Sequence, residues 1–227
     1  TACSLPSSTR PMAVISGCSA RLDTGPDRCS SDSGGYHPLS AFSLYDGKEH
    51  QVALLIMSLP ASAITSQQWA EDLRRFSGRD GIVNYWLADG VNRQSLGMSR
   101  QEKKYIRELF SQLDQITGLR FEEKNRRANS DIDLYRVGAF KGSTIGRTTR
   151  RNGWFDIAWA DQAGDRLTRS ERWVIAHEIG HAVGLDHPYN KPFSPRFDTS
   201  DTVMSYNLTT FKGYTSSDIA ALQSLWG

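Results

Sequence analysis

The sequence predicts an α+β fold: a mixed, twisted sheet of about five strands combined with three main helices. Three observations predict it. From residue 81 onward, short strand-like runs alternate with helical stretches. Two of those helical stretches open on capping-box residues. The composition, 38% hydrophobic and 23% charged with 19 Gly and 8 Pro, is that of a folded chain with enough apolar material for a core.

The elements follow in order. Residues 51–58 read as a buried strand, and the apolar run at 52–59 is far too short to span a bilayer. Residues 66–76 place Trp69, Leu73 and Phe76 at helical spacing, and Ser77-Gly78 stops that helix. Residues 81–87 form a strand. Residues 99–116 form a strongly amphipathic helix, with Tyr105, Ile106, Leu109, Phe110, Leu113 and Ile116 on the 3.6 period. Ser99 and Glu102 make its capping box, and Gly118 ends it. Strands are expected at 119–123, 131–137 and 154–160. A helix at 169–183 carries histidines, and a loop-rich stretch runs from 184 to 214. The last helix starts at Thr215, with Asp218 three residues on, and ends at Leu225 or Trp226.

Net charge is +2, from 27 basic and 25 acidic residues, which gives no reason to expect nucleic acid or a membrane surface as a partner. The basic runs Arg126-Arg127 and 147–151 read as solvated loop charge, because no aromatic interleaving accompanies them. Cys3, Cys18 and Cys29 all fall in the first 30 residues. One disulfide plus one odd thiol is expected, with three possible pairings, which favours a secreted, oxidising setting. No signal peptide opens the chain at Thr1, and the missing initiator Met predicts a processed or engineered N-terminus. Two regions are expected: an N-terminal cysteine-containing extension at 1–80, and a second unit at 81–227.

The chemistry concentrates in HEIGHAVGLDH, residues 177–187, which holds three of the chain's five histidines. His177 and His181 are four apart, so on a helix both imidazoles project from one face. Both nitrogens can then reach one zinc ion at about 2.0–2.1 Å. Glu178 points about 100° around the helix, off the ligand face but near a water at the metal. Gly184 permits a sharp turn out of the helix, and His187 returns as third ligand. Three protein ligands leave a fourth position open, the arrangement of a catalytic rather than a structural zinc.

This segment has the extended H-E-x-x-H-x-x-G-x-x-H form of the metzincin zinc peptidases, which the chain resembles. Met204, in DTVMSY at 201–206, matches that family's Met-containing turn. Met-Ser-Tyr is similar to the serralysin and astacin branches, where a Tyr two residues past the Met lies beside the metal. Residues 213–227 resemble the closing helix of serralysin-like and matrixin-like catalytic domains. The resemblance covers 81–227 and is closest to the serralysin-like and matrixin-like branch. It lacks the glycine-rich calcium-binding repeats that follow typical serralysin domains.

The resemblance implies a catalytic domain split by an active-site cleft, and a monomeric endopeptidase cutting extended protein substrates. One Zn²⁺ would be held by His177, His181 and His187, with Glu178 as general base, Tyr206 as a metal-side phenol and Met204 in the turn beneath. It makes 154–160 the candidate edge strand for substrate, with Trp154, Phe155, Asp156, Ile157 and Ala158 in contact. Phe211 and Tyr214 are expected to wall the specificity pocket. Calcium finds no support, since Asp156, Asp161 and Asp165 form no recognisable calcium loop. Residues 1–80 read either as an inhibitory prosegment, with Cys29 as a thiolate on the metal, or as an accessory layer. The competing function is a metzincin-shaped peptide-binding or toxin-like module without turnover. Retention of Glu178 favours the enzyme.

Overall fold

The computed structural model describes residues 59–227, apart from 79 and 93, and the backbone of 18–21. The strand expected at 51–58, and Cys3 and Cys29, lie outside the described residues. The elements are β1 (Cys18–Arg21), α1 (Gln67–Ser77), β2 (Ile82–Leu87), α2 (Arg100–Thr117) and β3 (Arg120–Glu123). They continue with β4 (Ile132–Val137), β5 (Thr144–Arg150), β6 (Phe155–Ala160), α3 (Arg169–Ala182) and α4 (Ser216–Trp226). The α+β expectation holds, with a six-stranded sheet and four α-helices among the described residues.

The sheet order is β1-β5-β6-β4-β2-β3. Strands β3, β2, β4 and β6 run parallel, and β5 is antiparallel to β6, as β1 is to β5. Alternate residues on the parallel strands enter the core: Val83, Tyr85 and Leu87 from β2, Ile132 and Leu134 from β4, and Phe155, Ile157 and Trp159 from β6. They meet Ile106, Leu109, Phe110 and Leu113 of α2 and Val174 and Ile175 of α3. The Trp159 indole donates to the buried Glu102, which also closes the α2 capping box from Ser99. Gly118 ends α2 in the left-handed region at φ 69.

Strand β5 differs from the expectation of solvated loop charge at 147–151. Its residues, TIGRTTR, carry no apolar alternation. Arg147 is exposed, while Gly146 and Thr148 turn inward against α3. A strand whose inward positions are glycine and threonine gives no period-2 signal.

The segment before β2 is tied into the same core. Leu59, Ile64 and Leu73 are buried, and the rings of Trp69 and Phe76 stand 5.4 and 5.0 Å from Phe155. Asp72, almost fully buried on α1, pairs with Arg150 of β5 at 2.5 Å.

Candidate metal centre

Helix α3 is opened by a capping box between Thr168 and Glu171. From Trp173 onward every residue is buried, so this helix runs through the core rather than over it. His177 and His181 lie one turn apart on one face, both fully buried, with ring centroids 4.9 Å apart.

The chain leaves the helix at Gly184, which has φ +103. A Cβ there would also sit 2.7 Å from Leu225 Cδ1 and 3.1 Å from Ala70 Cβ, so glycine is required twice over. The emerging segment is then held from the N-terminal side. Ser66 N donates to Gly184 O at 2.8 Å, Asp186 N donates to Ile64 O at 2.8 Å, and Thr65 bridges Leu185. This pairing carries His187 back, with its ring 5.3 Å from that of His177 and 4.8 Å from that of His181.

The ring nitrogens account for the site. His177 Nδ1 lies 3.0 Å from Val203 O, and His181 Nδ1 lies 3.1 Å from Leu185 O. A carbonyl only accepts, so both Nδ1 atoms carry the proton and both Nε2 atoms keep a lone pair. His187 Nδ1 lies 3.5 Å from the Asp186 carboxylate. The three Nε2 atoms are buried and have no hydrogen-bond partner. Ligand atoms of the three histidines lie within 4.8 Å of one another, close enough for one cation to draw them together.

Burial pushes the imidazoles toward the neutral form that a metal needs. His177 is pushed down to about 3, first by desolvation and then by His187, and His187 is pushed down to about 4 by burial. His181 is held well below the usual range by the same desolvation and its two neighbours. Buried polar atoms are normally satisfied. Three orphaned acceptors converging at one point, each on a neutral imidazole, fit a divalent zinc, with backbone carbonyls orienting two of the rings.

Met204 is fully buried, on a turn that packs against Gly180 of α3. Its sulfur would lie 2.9 Å from a Cβ at Gly180, so Gly180 lets the turn approach α3 between His177 and His181. Asp218, the capping acid of α4, accepts from Thr202 Oγ1 at 2.6 Å and Val203 N at 3.0 Å, which fixes the turn. Tyr206 is mostly buried, with its ring 4.9 Å from His187 and 5.3 Å from His177. Glu178 is fully buried, and Thr148 Oγ1 stands 2.8 Å from its Oε2.

The expected substrate strand is corrected. Phe155–Ala160 is hydrogen-bonded on both sides, by β4 and β5, so it is not an edge. Phe155 and Ile157 are fully buried core residues. Asp156 turns to the opposite face of the sheet, where Arg151 Nε donates to it at 2.6 Å and Trp154 Nε1 at 2.9 Å. Ala158 lines a shallow pocket on that same face with Tyr135 and Phe140. The strand beyond β6 is β5, and β1 pairs with its outer side.

Tyr214 donates to the carbonyl of Ala176, next to His177, at 3.1 Å, and Phe211 packs on the core. Asp161 Oδ1 accepts from Gly164 N at 2.7 Å, and Asp165 points to solvent beside Arg136. Sequence reasoning missed Phe193, 47% exposed, whose ring stands edge-on to Tyr206 at 4.9 Å. It also missed Thr148 and Gly146, which no local pattern marks.

Fold and site together define a mixed α+β fold with a buried three-histidine cluster able to hold a metal ion. The chain is 28% identical over 159 residues to matrix metalloproteinase-21 of Xenopus laevis, a match covering 62% of this chain. It spans 24% of that relative's length. No protein-family model matches the chain. Among the described residues, no helix is long and apolar enough to cross a membrane.

Proposed function

We propose that this chain is a zinc-dependent endopeptidase acting on extended protein substrates. The observation that carries the reading is the convergence of three buried, partnerless Nε2 atoms from His177, His181 and His187. A similarity to a matrix metalloproteinase supports it. Zinc held there would act as a Lewis acid toward water and the scissile carbonyl.

The chain's own residues supply the rest. Glu178, one residue past the first ligand, takes a proton from the attacking water and passes it to the leaving amine. Tyr206, packed against His177 and His187, places a phenol to donate to the oxygen that gains negative charge. Met204 supports the histidines from below. Phe211 and Tyr214 wall the pocket for the substrate side chain. An extended peptide adds along the outer side of β5 rather than at β6, in the place that β1 occupies in the sheet. Residues 18–21 pair with that side, so a substrate using it displaces them.

The N-terminal region from residue 59 onward acts as an accessory layer, supported by its pairing with 184–186 and its buried Leu59, Ile64 and Leu73. The function is tested by digestion of casein. Cleavage should be abolished by a strong chelator and restored by zinc; cleavage indifferent to chelation contradicts the proposal.

A further inference from the structure

We infer that Gly146 and Thr148 of β5 form a seat that holds the Glu178 side chain for proton transfer, which makes Thr148 a positioning residue. The inference rests on the reading of Glu178 as general base.

The two residues are two apart on one strand and face α3 together. Thr148 is fully buried, and its hydroxyl lies 2.8 Å from Glu178 Oε2 and 2.7 Å from the Glu178 backbone carbonyl. Gly146 acts by what it lacks. A Cβ there would stand 2.7 Å from Glu178 Oε1 and 3.0 Å from Glu178 Cγ, and would also collide with Val174. The strand therefore runs closer to the glutamate than any residue with a side chain allows. One inward position limits the Cγ and Oε1 side of Glu178, and the other bonds Oε2.

Glutamate has three side-chain torsions, and a base must stay within hydrogen-bond reach of the proton it removes. Threonine, branched at Cβ, is stiff at χ1, so its hydroxyl is a fixed point. The hydroxyl has one proton and two acceptors within reach. While Glu178 is ionised, the hydroxyl serves Oε2. When the carboxylate takes the proton from water, the hydroxyl turns to the Glu178 backbone carbonyl. Thr148 keeps its own proton throughout, so the transfer runs only from water to Glu178 to the leaving amine.

The test compares T148V and T148S with the wild type in the full, zinc-loaded chain, using a fluorogenic peptide. T148V should lower kcat about tenfold and leave KM and zinc affinity, read by chelator competition, within about twofold. T148S should restore kcat to within about twofold of wild type. In a Glu178→Asp background, whose shorter carboxylate leaves the seat, T148V should add little. Crystals of T148V should show the Glu178 carboxylate in more than one orientation. An unchanged kcat in T148V, a T148S as impaired as T148V, or a single undisturbed Glu178 orientation would overturn the seat. Loss of zinc affinity in step with kcat would also overturn it in favour of a structural role. An inactive wild type strikes instead at the endopeptidase reading, and the crystallographic comparison still judges the seat.

Discussion

Asp218 holds Val203 in place, accepting its backbone N–H at 3.0 Å, and the carbonyl of the same Val203 receives the Nδ1 proton of His177 at 3.0 Å. The capping acid of the last helix is thus two hydrogen bonds from His177, a proposed zinc ligand. The carboxylate of Asp218 is buried, and Thr202 and Thr215 also donate to it. Asp218→Ala removes this support and leaves buried donors unsatisfied. Zinc affinity should fall about tenfold or more, the scale on which supports behind a ligand act. Chelator competition reads the outcome, and unchanged affinity would show that the turn holds His177 without Asp218.

Gly184 sets the return of His187. Alanine there would have to adopt φ near +103 and press on Leu225 and Ala70. Strain of this kind costs on the order of 1–3 kcal/mol. Gly184→Ala should lower the melting temperature by several degrees and weaken zinc binding. A variant that melts and binds zinc like wild type would contradict the account of the bend.

As the proposed general base, Glu178 would contribute chemistry rather than a ligand. Glu178→Ala should keep one zinc per chain and lose peptidase turnover by a factor on the order of 10²–10⁴. Metal analysis and peptide kinetics on the same sample decide it. An active variant would show that another base operates.

The buried imidazoles predict a pH dependence in the metal-free chain. Their folded values, about 3 for His177 and about 4 for His187, lie below the ordinary 6.5. The unfolded chain therefore takes up protons first as pH falls through 6.5, and unfolding is favoured. The contribution is fully present above about 6.5 and is lost progressively down to the folded values. Each imidazole adds up to about 1.4 kcal/mol per pH unit within that window. Asp131, Asp133, Asp186 and Asp218, all raised by burial, pull the other way as they protonate. The melting temperature of chelator-treated protein should drop as pH falls from 7, and replacing His177 and His181 by Gln should flatten that drop; a drop of the same size in the double variant would contradict its origin in the buried histidines.

Much of the fold was legible because local signals agreed with it. The capping boxes at Ser99 and Thr215, the stripe of Ile106, Leu109, Phe110 and Leu113, and the stop at Gly118 all act within a few residues of themselves. The histidine cluster was legible for the same reason, since a helix turn and a glycine bend set most of its geometry. Strand order was not, because hydrogen bonding between β6, β4 and β5 joins segments distant in sequence. The edge position for 154–160 comes from the family resemblance alone, and the pairing on both sides of β6 overrides it. Strand β5 escaped because its inward side chains answer to Glu178 rather than to an apolar core. The support of 184–186 by 64–66 is likewise a pairing between segments distant in sequence, invisible to any local window.

The most direct test is anomalous X-ray diffraction at the zinc edge from crystals of the zinc-loaded chain. The account predicts one peak about 2.0–2.1 Å from Nε2 of His177, His181 and His187, with no fourth protein ligand. A zinc ion bound elsewhere, or the ring of His187 turned away from it, would contradict the account.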